Sequence, residues 1–196
     1  EPFRLPTGFA LQTTFAQRKW GYTDFEYLVY VMRSPVVAPF DSNHWTEIKE
    51  IYHLGILSRM ATFETELPGY EVWIKKFHAH LLWVATIDES VKGWAGLQPV
   101  SARKVYDGVA EVTVYVHPDF SGKGIGSFLM NHVIIESERA GIWTLFAAIF
   151  PENIASIRLH EKSGFRKIGY REKIARLDGE WRDTVLYERR SRIVGV

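Results

Sequence analysis

Residues 114–127 read Val-Tyr-Val-His-Pro-Asp-Phe-Ser-Gly-Lys-Gly-Ile-Gly-Ser. An apolar run ends in a glycine-rich turn. Helical periodicity then continues from Ile125 to Ala140 through Ile125, Phe128, Leu129, His132 and Val133. This order forces a strand end, a turn that tolerates φ > 0 and a helix N-terminus to meet at one point. Such a point carries free backbone N–H groups and the positive end of a helix dipole, which together suit a phosphate. A second helix opens at Asn153, with Ala155 and Ser156 in its first turn, and ends at Gly164-Phe165.

Three nucleotide-containing ligands use a glycine turn of this kind. A P-loop needs Gly-x-x-x-x-Gly-Lys-Ser/Thr, which Gly122-Lys-Gly-Ile-Gly-Ser does not match. A dinucleotide turn needs Gly-x-Gly-x-x-Gly near the start of its βαβ unit, and here the turn is late in the chain. The placement of Lys123 between glycines and the second helix at Asn153 favour coenzyme A. A tight structural turn explains the glycines alone equally well, and an N-cap explains Asn153 alone.

The remaining pattern reads as alternating strands and helices. Val36 to Pro39 suits an edge strand, where proline is tolerated. Ser42 to Leu57 has helical spacing, with Ser42 or Asn43 as its N-cap, and Tyr70 to His80 suggests a second helix. Runs at 81–87 and 91–100 flank an Asp88-Glu89 turn, and 109–116 is a strand, as is 143–150. Runs at 169–175 and 181–188 close the chain as a hairpin around Asp178-Gly179. The class is α/β, with a mixed central sheet.

A chain of 196 residues suits one domain, with 36–196 as its body and 1–35 as an N-terminal extension, an arm or extra strand packed on the body or on a partner. The net charge of +1 gives no reason to expect nucleic acid or a membrane surface as partner. The absence of cysteine excludes disulfides, thiolate metal sites and a cysteine nucleophile. No apolar run approaches a membrane span, and no signal-peptide pattern is seen, so a cytoplasmic location is expected. His44, His53, His78, His80, His117 and His132 show no metal-ligand spacing and are read as structural; no metal is expected.

Ser121-Gly-Lys-Gly124-Ile-Gly126 after a strand, followed by Asn153-Ile-Ala-Ser156 and Gly164-Phe165, resembles the acetyl-CoA-binding core of the GNAT acetyltransferase superfamily. Ala61-Thr-Phe63-Glu-Thr-Glu-Leu-Pro68 with Trp73, Arg103-Lys-Val-Tyr106, Ala110-Glu111-Val-Thr113-Val-Tyr115-Val, Ser156-Ile-Arg-Leu-His160-Glu-Lys162 and Gly179-Glu-Trp181-Arg-Asp183 resemble its phosphinothricin and methionine sulfoximine acetyltransferase subfamily. The resemblance spans roughly residues 36–190. Two positions depart from it. Ser121 replaces the usual Arg or Gln, leaving Lys123 to supply phosphate contact, and Ser101 stands where a second basic residue often precedes Arg103.

The resemblance implies a GNAT fold: about four helices around a mixed sheet whose splayed central strands hold acetyl-CoA as co-substrate. It also implies a homodimer acting on a small-molecule amine. It assigns acetyl-CoA to the backbone of Val114, Tyr115 and Val116, the turn from Gly122 through Lys123, Gly124, Ile125 and Gly126 to Ser127, and Asn153, Ser156 and Lys162. Glu111, otherwise an exposed strand charge, becomes the general base. His160, otherwise a helix-surface histidine, becomes an acid/base group. Arg103 suits a substrate carboxylate, with Tyr106 and Thr113 as hydrogen-bonding partners and Phe63 as a wall; Trp94 suits a wall or the core. The expected reaction is direct transfer of acetyl to the amine of an amino acid or analogue. A polyamine, aminoglycoside or protein N-terminus is the alternative within the fold. A non-catalytic acyl-CoA-binding regulatory module is the alternative outside catalysis, favoured by Ser121 and opposed by the pairing of Glu111 with His160.

Overall fold

A computed structural model describes residues 34–196. The extension expected over 1–35 lies, apart from Ser34 and Pro35, outside the described residues. Seven strands form one sheet in the order β1-β2-β3-β4-β5-β7-β6. They are β1 (Val36–Pro39), β2 (Leu82–Ile87), β3 (Ser90–Pro99), β4 (Val109–Val116), β5 (Thr144–Ile149), β6 (Arg166–Leu177) and β7 (Glu180–Arg190). Among the described residues, four α-helices accompany them: α1 (Trp45–Leu57), α2 (Tyr70–Ile74), α3 (Ile125–Arg139) and α4 (Ile154–Lys162). Every strand pair is antiparallel except β4 with β5. That pair must be parallel, because α3 crosses over between its strands.

Alternation along the strands divides the apolar side chains between two faces. On one face, Ile125, Leu129, Met130 and Val133 of α3 pack against Ala95, Leu97, Ala110, Val112 and Leu145. On the other, Ile48, Ile51, Tyr52 and Ile56 of α1 meet Val84, Val91, Trp94 and Tyr115. Each fully buried Ile, Leu or Val is worth about 1.5–3 kcal/mol relative to an exposed one, so both helices are fixed by their apolar stripes rather than by propensity. The buried stripe of α3 differs from the expected one. Phe128 is 42% exposed, whereas Met130 is completely buried, because the stripe runs along the i, i+4 ridge from Ile125 through Leu129 and Val133 to Ser137.

Two further readings are corrected. The helix expected from Tyr70 to His80 stops at Ile74. Its next N–H groups reach back only three residues, Lys76 to Trp73 and Phe77 to Ile74, and the His78 N–H is taken by the Leu97 carbonyl of β3. The cap before α1 is Asp41, not Ser42 or Asn43. Its carboxylate accepts from the Asn43 N–H at 2.8 Å, while the His44 imidazole accepts from the Asp41 N–H at 3.0 Å, and a 3₁₀ turn over Ser42–His44 leads into the helix. The hairpin turns follow expectation: Asp88 and Glu89, and Asp178 and Gly179, have positive φ, as a two-residue turn matched to strand twist requires.

Candidate active site

The parallel pair opens almost as soon as it forms. β4 and β5 are matched only over Val109–Glu111 and Thr144–Phe146. Beyond Glu111, β4 remains paired with β3 and β5 with β7. The edges of Val112–Val116 and Ala147–Ile149 that face each other therefore have no strand partner. Unpaired backbone groups demand hydrogen bonds, and here they border a cleft of about 520 Å³. Glu111, Thr113, Val114, Tyr115, Ser156 and His160 all line it.

Glu111 occupies the last paired position, beside Phe146 on one strand and Gln98 on the other. Its carboxylate makes no hydrogen bond or ion pair among the described residues. Burial raises its pKa above the ordinary carboxylate value, opposed by the positive charge of Arg171. A desolvated, unpartnered carboxylate accepts a proton more readily than a surface one.

His160 is 4% exposed. Its place follows from the end of α4, where the Phe165 N–H bonds the His160 carbonyl and the Gly164 N–H bonds that of Glu161. With Gly164 at φ +84°, this is a Schellman closure, and it brings the Phe165 ring to 4.9 Å from the imidazole, edge to face. One turn back, the Ser156 carbonyl lies 2.8 Å from Nδ1. A carbonyl only accepts, so Nδ1 carries the proton and Nε2 presents its lone pair. Nε2 is buried without a partner. Burial lowers the pKa of His160, opposed by that backbone bond, so the neutral, accepting form is favoured.

The glycine turn supplies a third component. Gly122 and Gly124 have φ of +74° and +87°, and a Cβ added to either would meet nothing within 4 Å. Open space therefore lies where side chains would stand. Gly124 caps α3 without any side-chain hydrogen bond, leaving the N–H groups of Ile125, Gly126 and Ser127 without intrahelical partners. Lys123 hangs beside them, its Nζ 4.8 Å from the Phe120 ring, and Lys92 lies 5.0 Å from the same ring. This donor set fits a diphosphate.

Residues 45–165 match the acetyltransferase (GNAT) family. The chain belongs to that family. Among its relatives, it is 30% identical to the phosphinothricin N-acetyltransferase of Streptomyces viridochromogenes over 162 residues, 80% of this chain and 88% of that protein. It is 31% identical to the L-methionine sulfoximine/L-methionine sulfone acetyltransferase of Salmonella typhimurium over 143 residues, 69% of this chain and 82% of that one. A solved GNAT phosphinothricin acetyltransferase from Sinorhizobium meliloti, in complex with AcCoA, superposes with a TM-score of 0.73 at 25% identity, covering 80% of this chain and 88% of that chain.

The other expected site residues of this GNAT chain divide by position. Phe63 and Thr113 line the cleft; Phe63 packs edge to face on Phe150 at 4.8 Å, and the Thr113 hydroxyl accepts from Gln98 Nε2 at 2.9 Å. Trp94 also lines the cleft while stacked on Tyr115 at 4.9 Å, so wall and core are the same residue. Arg103 and Tyr106 do not line it. They stand exposed in the loop between β3 and β4, 5.5 Å apart as a cation on a ring. Lys162 and Ser127 are exposed on their helices. Gly126 is set against α4, where a Cβ would approach Leu159 to 3.2 Å. Both ends of the Asn153 amide are engaged: Oδ1 accepts from the Ser156 N–H at 3.1 Å, and Nδ2 donates to the Met60 carbonyl at 2.9 Å.

Several cleft residues escape a reading by motif. Gln98 faces Glu111 only through strand register. Glu64 and Lys76 form an ion pair on the cleft wall. The Trp73 and Trp94 indole N–H groups and the Thr184 hydroxyl are buried there without partners. Glu64 and Trp73 were visible with the motif beginning at Ala61, and Trp94 as a wall or core residue; Gln98, Lys76 and Thr184 depend on long-range pairing.

Proposed function

We propose that this chain transfers acetyl from acetyl-CoA to the amine of a small amino acid or amino-acid analogue by direct attack in a ternary complex. One observation carries the reading. An unpartnered carboxylate at the last paired position before the β4/β5 opening, Glu111, shares a cleft with an unpartnered imidazole nitrogen, His160 Nε2. The resemblance to phosphinothricin and methionine sulfoximine acetyltransferases supports the substrate class.

In this reading the diphosphate of acetyl-CoA lies on the turn from Gly122 to Ser127, with Lys123 alongside. Its pantetheine arm bonds the free edge of Val114, Tyr115 and Val116, and Ser156 borders the arm on the opposite side. Asn153 holds that side in place and Lys162 completes it. Glu111 removes a proton from the substrate ammonium, since ordinary amines are protonated at neutral pH. The amine nitrogen then bonds the acetyl carbon. His160 Nε2 takes the second nitrogen-borne proton and returns it to sulfur as the carbon–sulfur bond breaks. The products are the amide, the free thiol and one proton released to water. Phe63 and Thr113 wall the substrate. Arg103 and Tyr106 enter by resemblance alone.

No helix among the described residues is long and apolar enough to cross a membrane. A cytoplasmic homodimer is part of the proposal, supported by the resemblance and by exposed Ile168, Tyr170, Ile174 and Trp181 on the β6–β7 hairpin; equilibrium sedimentation tests it. A thiol-release assay tests the activity. The panel comprises amino acids, their sulfone, sulfoximine and phosphinate analogues, a polyamine and a peptide N-terminus. Turnover of the amino-acid group is expected. Turnover of only the polyamine or peptide, or acetyl-CoA binding with no turnover, contradicts the proposal.

A further inference from the structure

We propose that Arg171 of β6 holds the carboxylate of the amine substrate. This deepens the acetyl-transfer reading and rests on it. Sheet register supplies the geometry. Side chains at paired positions share a face, and those along a strand alternate. Glu111 pairs with Phe146, and Phe146 with Glu188. Alternation along β7 carries the same face from Glu188 through Leu186 to Thr184, and Thr184 pairs with Arg171. Arg171 is therefore on the Glu111 face of the sheet. Ala148 and Phe150 continue that face on β5 and its end, and both line the cleft together with Thr184.

The immediate surroundings fit an anion. Thr184 is 3% exposed, and its hydroxyl has no hydrogen-bond partner. Arg171 makes no ion pair or hydrogen bond among the described residues. Directly after it, Glu172, Lys173 and Ile174 face Asp183 alone, and the Asp183 carboxylate pins this bulge by accepting from the Lys173 N–H at 2.6 Å. The Arg171 charge is felt at Glu111, where it opposes the effect of burial.

Substrate electrostatics require such a cation. An amino acid brings its carboxylate close to its ammonium, and hence close to the general base. Two carboxylates sharing a site repel unless a cation is present. Lys76, the cation that lines the cleft, is paired with Glu64; Arg103 and Arg171 both stand outside the lining, Arg103 against the Tyr106 ring and Arg171 on the Glu111 face without a partner among the described residues. A guanidinium offers the bidentate fork that matches a carboxylate. Arg171 thus supplies from β6 a basic group that the sequence around Ser101 lacks.

The test compares wild type with Arg171→Ala, Arg171→Lys and Arg103→Ala, using one amino-acid substrate and its carboxamide. Arg171 is exposed, so the variants are expected to fold. For Arg171→Ala, KM for the amino acid should rise roughly 10- to 100-fold, the range of one lost charge-assisted contact. The carboxamide KM should barely change, and Arg171→Lys should fall between. Unchanged KM values, an equal rise for both substrates, or the same split in Arg103→Ala instead overturn the assignment. Wild-type turnover of the carboxamide but not the amino acid overturns it too. Absence of wild-type turnover with any amine defeats the acetyl-transfer reading itself, and this inference with it, before any variant is compared.

Discussion

The helices α3 and α4 each follow one of the two splayed central strands, yet their N-termini are finished in opposite ways. At α3, Gly124 adopts φ +87° and no side chain caps the first turn. At α4, the Asn153 side chain bonds the Ser156 N–H and also ties the Met60 carbonyl to the helix. A helix start normally needs such a partner for its free N–H groups. In the proposed reading the open start of α3 takes the co-substrate's phosphates, whereas the closed start of α4 gives rigidity. Rigidity matters at α4 because its other end holds His160 between the Ser156 carbonyl and the Phe165 ring. On the proposed reading, one helix offers its backbone to the co-substrate and the other aims a side chain at the chemistry.

The sharpest break of this division lies between the two helices, at Glu111. Glu111→Gln should lower kcat by about 10²–10⁴-fold, the usual contribution of a positioned base, with acetyl-CoA affinity retained at the α3 start. The same variant has a stability signature. The Glu111 pKa is raised in the folded state, so its favourable contribution is complete below the unfolded value near ~4.3 and is lost as pH rises through the folded value. Glu111→Gln should therefore raise Tm relative to wild type at pH ~8 and not at pH ~4; parallel melts that show no pH-dependent gap exclude a desolvated carboxylate.

On the α4 side, His160→Gln should lower kcat by roughly 10²-fold and leave the acetyl-CoA Kd near that of wild type; a Kd effect as large as the kcat effect would erase the division of labour. Asn153→Ala is the smallest change. Loss of the cap and the Met60 tie should cost about 1–2 kcal/mol, read as a drop of roughly 2–8 °C in Tm. A Tm equal to wild type would mean that the α4 start is not structurally closed.

The open start was legible because glycines and helical periodicity are local signals, and so was Asn153 as a cap. The alternation of β4 placed Glu111 on a strand, but nothing local shows that pairing with β5 ends at that residue. Gln98, Thr184 and Arg171 were equally hidden, since Gln98 meets Glu111 through β3–β4 register and the other two share its face only through register across β5, β7 and β6. Tyr70 to His80 misled because its helical spacing is real up to Ile74, after which the sheet claims the His78 N–H. At Asp41 the local signal was unusual, with an imidazole serving where Glu or Gln generally completes the box.

Calorimetric titration of acetyl-CoA into the wild-type chain, Gly124→Ala and Asn153→Ala compares the two helix starts directly. A methyl added at Gly124 meets nothing within 4 Å but strains the φ +87° turn that leads into the α3 N–H groups. Its Kd should rise roughly 10- to 100-fold, as expected for losing contacts to a charged phosphate, while Asn153→Ala stays close to wild type at a temperature where it is folded. An unchanged Kd in Gly124→Ala, or a loss confined to Asn153→Ala, would contradict the assignment of the open turn to the co-substrate.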